Sequence, residues 1–167
     1  MEESPIIVFN QKNVYCGRSL KKYGGMAYFA NHNFQAGDIV IHGFGKIIDH
    51  QAAHLSMEIG FKKHILPKKW TGRYLNHSCD PNCFAHTRSD GFPDIIALRG
   101  IKQGEEITYS YFMTELSWSS HVHEKRIPCL CGAKKCFGRI LSFSQLTDKQ
   151  KNNFKKRKVI SSYLHNI

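Results

Sequence analysis

The sequence predicts a mainly β fold with short helices, on three observations. Short β-branched or aromatic stretches recur along the first 110 residues, glycine-bearing turns interrupt them, and a helix start signal comes only near the C-terminus. Many short strands without a long helical period favour a set of small sheets over a helical bundle.

Taken in order, PIIVF (Pro5–Phe9), MAYFA (Met26–Ala30) and DIVIHGFGKIID (Asp38–Asp49) read as strands. Turn signals stand at Tyr23-Gly24-Gly25 and Gln35-Ala36-Gly37-Asp38. HLSMEIGFKKHIL (His54–Leu66) roughly alternates and reads as two more strands. DIIALRG (Asp94–Gly100) is an apolar strand, followed by the turn KQGEE and the strand EITYSY (Glu106–Tyr111). Thr147 with Gln150 three positions on is a capping-box signature, which predicts a helix through about Leu164. Lys149 to Lys158 carries six Lys or Arg and no acid, which suits a solvated helix face or a nucleic-acid contact. Phe154, Ile160, Tyr163 and Leu164 are the side chains able to dock this element on the body.

At 167 residues the chain suits one domain with a real core, and 41% hydrophobic content with 12% aromatics excludes disorder. The start, MEESPIIVF, has acids where a secretory signal has Lys or Arg. No apolar run approaches the roughly 20 residues of a membrane helix, so an intracellular protein with no membrane partner is expected. Lys and Arg number 24 against 13 Asp and Glu, and the net charge of +11 favours an acidic or polyanionic partner, although solubility accounts for it equally.

In such a chain Cys16, Cys79, Cys83, Cys129, Cys131 and Cys136 point to metal or free thiols rather than disulfides. CLCGAKKC (Cys129–Cys136) gathers three potential thiolates around a glycine turn. A structural zinc site takes four ligands in a tetrahedron. Spacing leaves the fourth open among Cys16, Cys79 and Cys83. A fourth ligand from NHSCDPNC would tie the C-terminal arm to a segment some fifty residues upstream.

RYLNHSCDPNC (Arg73–Cys83), GEEITYSY (Gly104–Tyr111) and CLCGAKKCFGRI (Cys129–Ile140) stand in that order. Together they resemble the SET-domain protein lysine methyltransferases, with their NHSCxPN, GEExxYxY and cysteine-rich post-SET segments. GGMAYFANHNFQAGDIVI resembles that family's N-terminal part, and the likeness runs from about Val14 to Ile140. It implies small β-sheets with a pseudoknot, divided as a SET domain over 1–120, a post-SET zinc segment over 121–141 and a basic helical extension over 142–167. With no cysteine-rich region before the domain and a short insert at Asp49–Pro67, the layout is similar to small stand-alone SET proteins, microbial ones included.

The resemblance implies methyl transfer from S-adenosylmethionine to a lysine amine of a protein, a histone or another basic nucleoprotein, with possible nucleic-acid or nucleosome contact through the basic C-terminal region. Tyr111 matches the catalytic tyrosine. Tyr109, expected on the same strand face, matches the position that limits how many methyls are added, and a tyrosine there implies mono- or dimethylation. Gly25, Met26, Ala27, Arg73, Asn76 and His77 match cofactor contacts, together with Tyr111 and Leu130; Phe137 joins Leu130 on the adenine side. Tyr74 is a pocket wall or core residue. Cys79 matches the fourth zinc ligand beside Cys129, Cys131 and Cys136, which leaves Cys16 and Cys83 as core and His121 and His123 as surface residues. Zinc loss is then expected to weaken cofactor binding as well as stability.

Two places depart from the pattern. Ala27 replaces the second glycine of G-x-G, and its Cβ would crowd the cofactor if the backbone needed a positive φ there. His42, Gly43 and Lys46 stand where relatives carry Glu-Tyr and then Gly-Glu. An aromatic wall of the lysine channel is thereby lost, with Phe44 the nearest replacement, and a base stands where an acid is common. These changes and the charge of +11 fit a second reading, a non-catalytic SET-like binding module for chromatin, RNA or ribosomal partners. A third, a nucleic-acid-binding zinc protein, leaves NHSC and YSY unexplained. The place of action is open between the nucleus, a bacterial cytoplasm and a host cell entered as an injected factor.

Overall fold

The computed structural model describes residues 9–10, 12–19, 21–22, 25–52, 56–67, 73–118 and 127–167. The PIIVF stretch before Phe9, Tyr23-Gly24, His54 and Leu55, and His121 and His123 lie outside them. Within the described residues the strands are β1 (Phe9–Asn10), β2 (Val14–Arg18), β3 (Met26–Ala30), β4 (Ile39–His42), β5 (Gly45–Ile48), β6 (Met57–Gly60), β7 (Lys63–Pro67), β8 (Asn76–His77), β9 (Cys83–Thr87), β10 (Pro93–Ala97) and β11 (Thr108–Tyr109). Their sheets are small: β1-β2-β3, β4-β10-β9 and β5-β7-β6 are antiparallel, and β8 pairs with β11 in parallel. A parallel pair needs a crossover. Here the chain between its strands builds β9 and β10, so Asn76-His77 and Thr108-Tyr109 meet across the molecule as the pseudoknot requires.

Three polar side chains hold that crossing. Asn82, 1% exposed, donates to the Glu106 carbonyl at 2.8 Å and to Glu105 Oε1 at 3.0 Å, and accepts from the Thr108 N–H at 2.9 Å. Ser110 Oγ donates to the Ser78 carbonyl at 2.5 Å, and Ser78 N–H to the Tyr109 carbonyl at 3.0 Å. Buried polar groups cost free energy unless paired, and paired in this way they fix one register.

EITYSY is shorter as a strand than its pattern predicts. β11 ends at Tyr109, and Tyr111–Met113 turn into a 3₁₀ helix with Ser110 as the extended N-cap. Tyr111 therefore does not share a strand face with Tyr109. DIIALRG likewise stops pairing at Ala97. The C-terminal helix α1 covers Asp148–Arg157, with the capping box formed by Thr147 and Gln150. It does not reach Leu164. Lys158 adopts a left-handed φ of 55° and returns its N–H to the Lys155 and Phe154 carbonyls, and a separate 3₁₀ turn follows at Ser162–Asn166.

Tyr28, Ile65, Ile95, Ile101, Ile107, Phe112, Phe143 and Leu164 are among the fully buried side chains of the core. Phe112 is its junction, with Phe137 of the cysteine loop at 6.2 Å and Phe154 of α1 at 4.6 Å between ring centroids. The rest of the C-terminal docking is as expected for Ile160 and Leu164, both buried, and Ser161 N–H also reaches the Met113 carbonyl at 2.7 Å.

Candidate active site and cysteine centre

A cavity of about 250 Å³ lies where the three motifs meet, lined by Asn76, His77, Tyr111, Cys129, Leu130 and Cys131 along with Ile127, Pro128 and Ile140. β8 supplies the first pair, the 3₁₀ turn after β11 supplies Tyr111, and the cysteine loop forms the opposite wall. The loop is pinned by Cys129 N–H to the Gly138 carbonyl at 3.0 Å and by the Pro128–Arg139 bridge.

His77 links the two walls. It is 5% exposed. Its Nδ1 accepts from the Tyr111 N–H at 3.2 Å, so the neutral ring carries its proton on Nε2, which lies 3.4 Å from Cys79 Sγ. Burial, with Lys21 adding to it, pulls His77 down to about 4, so the ring stays neutral near pH 7 and is a poor general base. Asn76 Nδ2 donates to the Met26 carbonyl at 3.1 Å and to Glu106 Oε1 at 3.0 Å; Glu106 Oε2 accepts from Ser19 Oγ at 2.9 Å. Both amide hydrogens are thus committed, and the Asn76 Oδ1 acceptor remains.

Tyr111 sits inside an aromatic group. Its ring centroid lies 5.2 Å from those of His77 and Tyr109 and 6.3 Å from that of Trp118. Its hydroxyl donates to the Leu75 carbonyl at 3.1 Å. Burial, then the charge of Glu115, raises both tyrosine hydroxyls above the usual phenol range, Tyr111 also helping to raise Tyr109, so neither is a phenolate near neutral pH.

The four thiols of Cys79, Cys129, Cys131 and Cys136 converge, all within 4.8 Å of one another. Cys79 Sγ lies 3.7 Å from Cys129 Sγ and 3.8 Å from Cys136 Sγ, and Cys131 Sγ lies 3.7 Å from Cys136 Sγ. A tetrahedral site with Zn–S bonds of about 2.3 Å requires S···S edges of about 3.8 Å, so the donor set and its size fit zinc. Backbone N–H groups face the sulfurs: Phe137 on Cys79 and Cys79 on Cys131, each at 3.5 Å, and Gly138 on Cys136 at 3.3 Å. Such donors favour thiolates. Cys16 and Cys83 are fully buried elsewhere in the core.

Other expected site residues are placed differently. Arg73 is exposed, and Tyr74 packs on Tyr28 at 5.9 Å in the core. Neither lines the cavity. Phe137 packs on Phe112, whereas Leu130 is 47% exposed at the rim. Gly25 takes φ of 80°, a conformation open to glycine, while Ala27 lies fully buried in β3 opposite Gly17 with no positive φ. The second glycine is therefore not required by backbone conformation. Gly43 is different: a Cβ there would sit 2.4 Å from the Pro93 carbonyl oxygen. No aromatic fits at position 43 on this backbone. Phe44 turns to Phe92 and Arg88, at 5.8 Å and 5.0 Å, and Lys46 faces solvent.

Pattern reading missed Asn82, Glu106, Trp118 and the buried Glu58 and Glu115. The first two lie inside the NHSCDPN and GEE motifs and were there to be found. Trp118 and the two glutamates carry no local signal.

The SET-domain family model matches residues 25–112, more than half of the chain. The chain belongs to the SET-domain family. The chain is 32% identical over 160 residues to "Histone-lysine N-methyltransferase, H3 lysine-4 specific" of Aspergillus oryzae, covering 81% of this chain and 12% of that protein. It is likewise 32% identical over 144 residues to human "Histone-lysine N-methyltransferase 2D", covering 75% of this chain and 2% of that protein. Among solved structures it resembles KRYPTONITE in complex with mCHG DNA and SAH, with a TM-score of 0.59, 26% identity, and coverage of 81% of this chain and 30% of that one. The SET chain thus spans a small part of the relatives it matches. Among the described residues no helix is long and apolar enough to cross a membrane.

Proposed function

We propose that this SET domain is an S-adenosylmethionine-dependent protein-lysine N-methyltransferase. The observation that carries the reading is Tyr111, which lines one cavity with Asn76-His77 and the cysteine loop while its hydroxyl is held by the Leu75 carbonyl. When bound there, S-adenosylmethionine supplies the methyl group for a lysine amine. Asn76 Oδ1 is suited to accept from the cofactor's amino group, since its Nδ2 hydrogens are already taken by Met26 and Glu106. Leu130 covers the apolar side. Gly25 and Met26 bring the β3 turn to Asn76, and buried Ala27 backs them. Cys79, Cys129, Cys131 and Cys136 hold a structural zinc that fixes the loop wall.

Tyr111 positions the amine through its fixed hydroxyl, and the aromatic group around it favours a cationic head group by cation–π attraction. Tyr109 is buried with its ring 5.2 Å from that of Tyr111, and a hydroxyl at that position supports mono- or dimethylation. The relatives named as histone methyltransferases support a histone or another basic nucleoprotein as substrate, and a nuclear, chromatin-associated setting. The division into a SET domain over 1–120, a zinc segment over 121–141 and a basic extension over 142–167 follows the same reading. Helix α1 packs Phe154 on the core and carries Lys155, Lys156 and Arg157 in its last turn, which suits contact with nucleic acid beside the substrate.

The test is incubation with methyl-labelled cofactor and core histones, read by mass spectrometry. Wild type should add one or two methyls, Tyr111→Phe should lower the rate by about 100-fold or more, and Tyr109→Phe should extend the product toward trimethyl-lysine. No transfer together with no cofactor binding would overturn the reading.

A further inference from the structure

Arg73, the basic residue expected among the cofactor contacts, is exposed and does not line the cavity of Asn76 and Tyr111. S-adenosylmethionine carries an α-carboxylate, and among the described residues no Lys or Arg lines that cavity to receive it. At about 250 Å³ the cavity is also smaller than the roughly 300–1,000 Å³ of pockets that enclose small-molecule ligands.

A second cavity of about 440 Å³ supplies both the room and the charge. It is lined by Lys21 and Lys22 together with Cys129, Leu130, Cys131 and Cys136. Cys129, Leu130 and Cys131 line the first cavity as well, so the two meet along that stretch of loop. Lys21 is half-buried, whereas Lys22 is exposed. The charge of Lys21 also acts, after burial, on His77 of the first cavity.

Lys21 is tied to Asn76 through a short chain of hydrogen bonds. Its N–H donates to Ser19 Oγ at 3.2 Å, Ser19 Oγ donates to Glu106 Oε2 at 2.9 Å, and Asn76 Nδ2 donates to Glu106 Oε1 at 3.0 Å. Ser19 N–H closes the β2–β3 turn on the Gly25 carbonyl at 2.9 Å. Ser19 and Glu106 are buried, at 5% and 9% exposed. An amino-acid head group needs an acceptor for its ammonium and a cation for its carboxylate. One buried network places both, Asn76 Oδ1 for the first and the Lys21 ammonium for the second.

We propose that Lys21 is a cofactor-binding residue, its ammonium holding the α-carboxylate of S-adenosylmethionine from the second cavity. The identity of that ligand rests on the methyltransferase reading. A hydrogen bond between ionised partners in a half-enclosed site is stronger than a neutral one, and the lysine acts as a point charge. Lys22, at the exposed rim, adds only screened attraction. A purely structural part for Lys21 is to offset the negative charge of four thiolates around a divalent ion, and that part would be blind to the ligand's carboxylate.

The test is calorimetric titration of the zinc-loaded full chain with S-adenosylmethionine and with its decarboxylated form, with zinc content measured beside it. Wild type should bind the carboxylated form about tenfold more tightly. Lys21→Gln should abolish that preference, weakening S-adenosylmethionine about tenfold while the decarboxylated form binds as well as before or better. Lys21→Arg should keep most of the preference, and Lys22→Gln should change it by about twofold or less. No preference in wild type, a preference intact in Lys21→Gln, or one lost only in Lys22→Gln would overturn the proposal. Equal weakening of both forms with loss of zinc would also overturn it, by assigning Lys21 to the thiolates. Binding with the full preference but without methyl transfer to any protein would count against the proposed activity alone.

Discussion

A side chain at position 43 has no room. Its Cβ would meet the Pro93 carbonyl oxygen at 2.4 Å and Pro93 Cγ at 2.8 Å, and the Gly43 N–H already bonds that carbonyl at 2.7 Å. Gly43→Ala should lower stability by about 1–3 kcal/mol, read as a fall in Tm; an unchanged Tm would show that the strand gives way freely. Glu115 makes a second prediction at this scale. Its carboxyl is pushed up to about 8 by burial, above the usual carboxylate range. The folded chain therefore holds a proton that the unfolded chain has lost, so stability is fullest at acid pH and falls as pH rises through about 8. Glu115→Gln should flatten that fall, by on the order of 2–4 kcal/mol between pH 5 and pH 9, and equal slopes in denaturant titrations would contradict it. Gly43 was legible in the sequence as a departure but without its cause, and Glu115 was not legible at all. A glycine required by a distant proline and an acid buried by tertiary packing look like any turn glycine or surface acid.

Helix α1 shows which parts of an element local chemistry controls. Its start was legible because Thr147 and Gln150 satisfy the first N–H groups within one turn of chain. Its end was not, since Lys158 takes a left-handed conformation while Val159–Ser161 are drawn into the core, with Ser161 bonded to Met113. Lys158→Gly should raise stability by about 0.5–1 kcal/mol, seen as a higher Tm; a lower Tm would mean that the lysine side chain matters more than its backbone strain. The same contrast explains β11. The alternation of EITYSY predicted a strand to Tyr111, but the buried Ser110 hydroxyl bonds Ser78 and the chain turns into a 3₁₀ helix there. Tyr111 thereby faces the cavity rather than continuing along the sheet.

Across the whole molecule, the motifs that were legible are those whose residues must meet. Asn76-His77, Tyr111 and the cysteine loop lie far apart in sequence, and the β8–β11 pairing brings them to one cavity. Small sheets were readable from the recurring short strand patterns, and the convergence of Cys79 with Cys129, Cys131 and Cys136 from the family resemblance, since spacing alone left the fourth cysteine open. Arg73 is exposed and Phe137 packs on Phe112, neither lining the cavity, because a motif fixes neighbourhood and not the direction of every side chain. The central claim is that the segment from Asn76 to Cys79 joins the cofactor pocket to the metal site, through His77 Nε2 at 3.4 Å from Cys79 Sγ and Cys129–Cys131 in the cavity wall. The most direct measurement is calorimetric titration of S-adenosylmethionine into zinc-loaded and chelator-stripped protein, with circular dichroism confirming that the β fold persists. Zinc removal should weaken binding about tenfold or more, and Cys79→Ser should behave like stripped protein. Unchanged affinity in a folded, zinc-free chain would contradict the account.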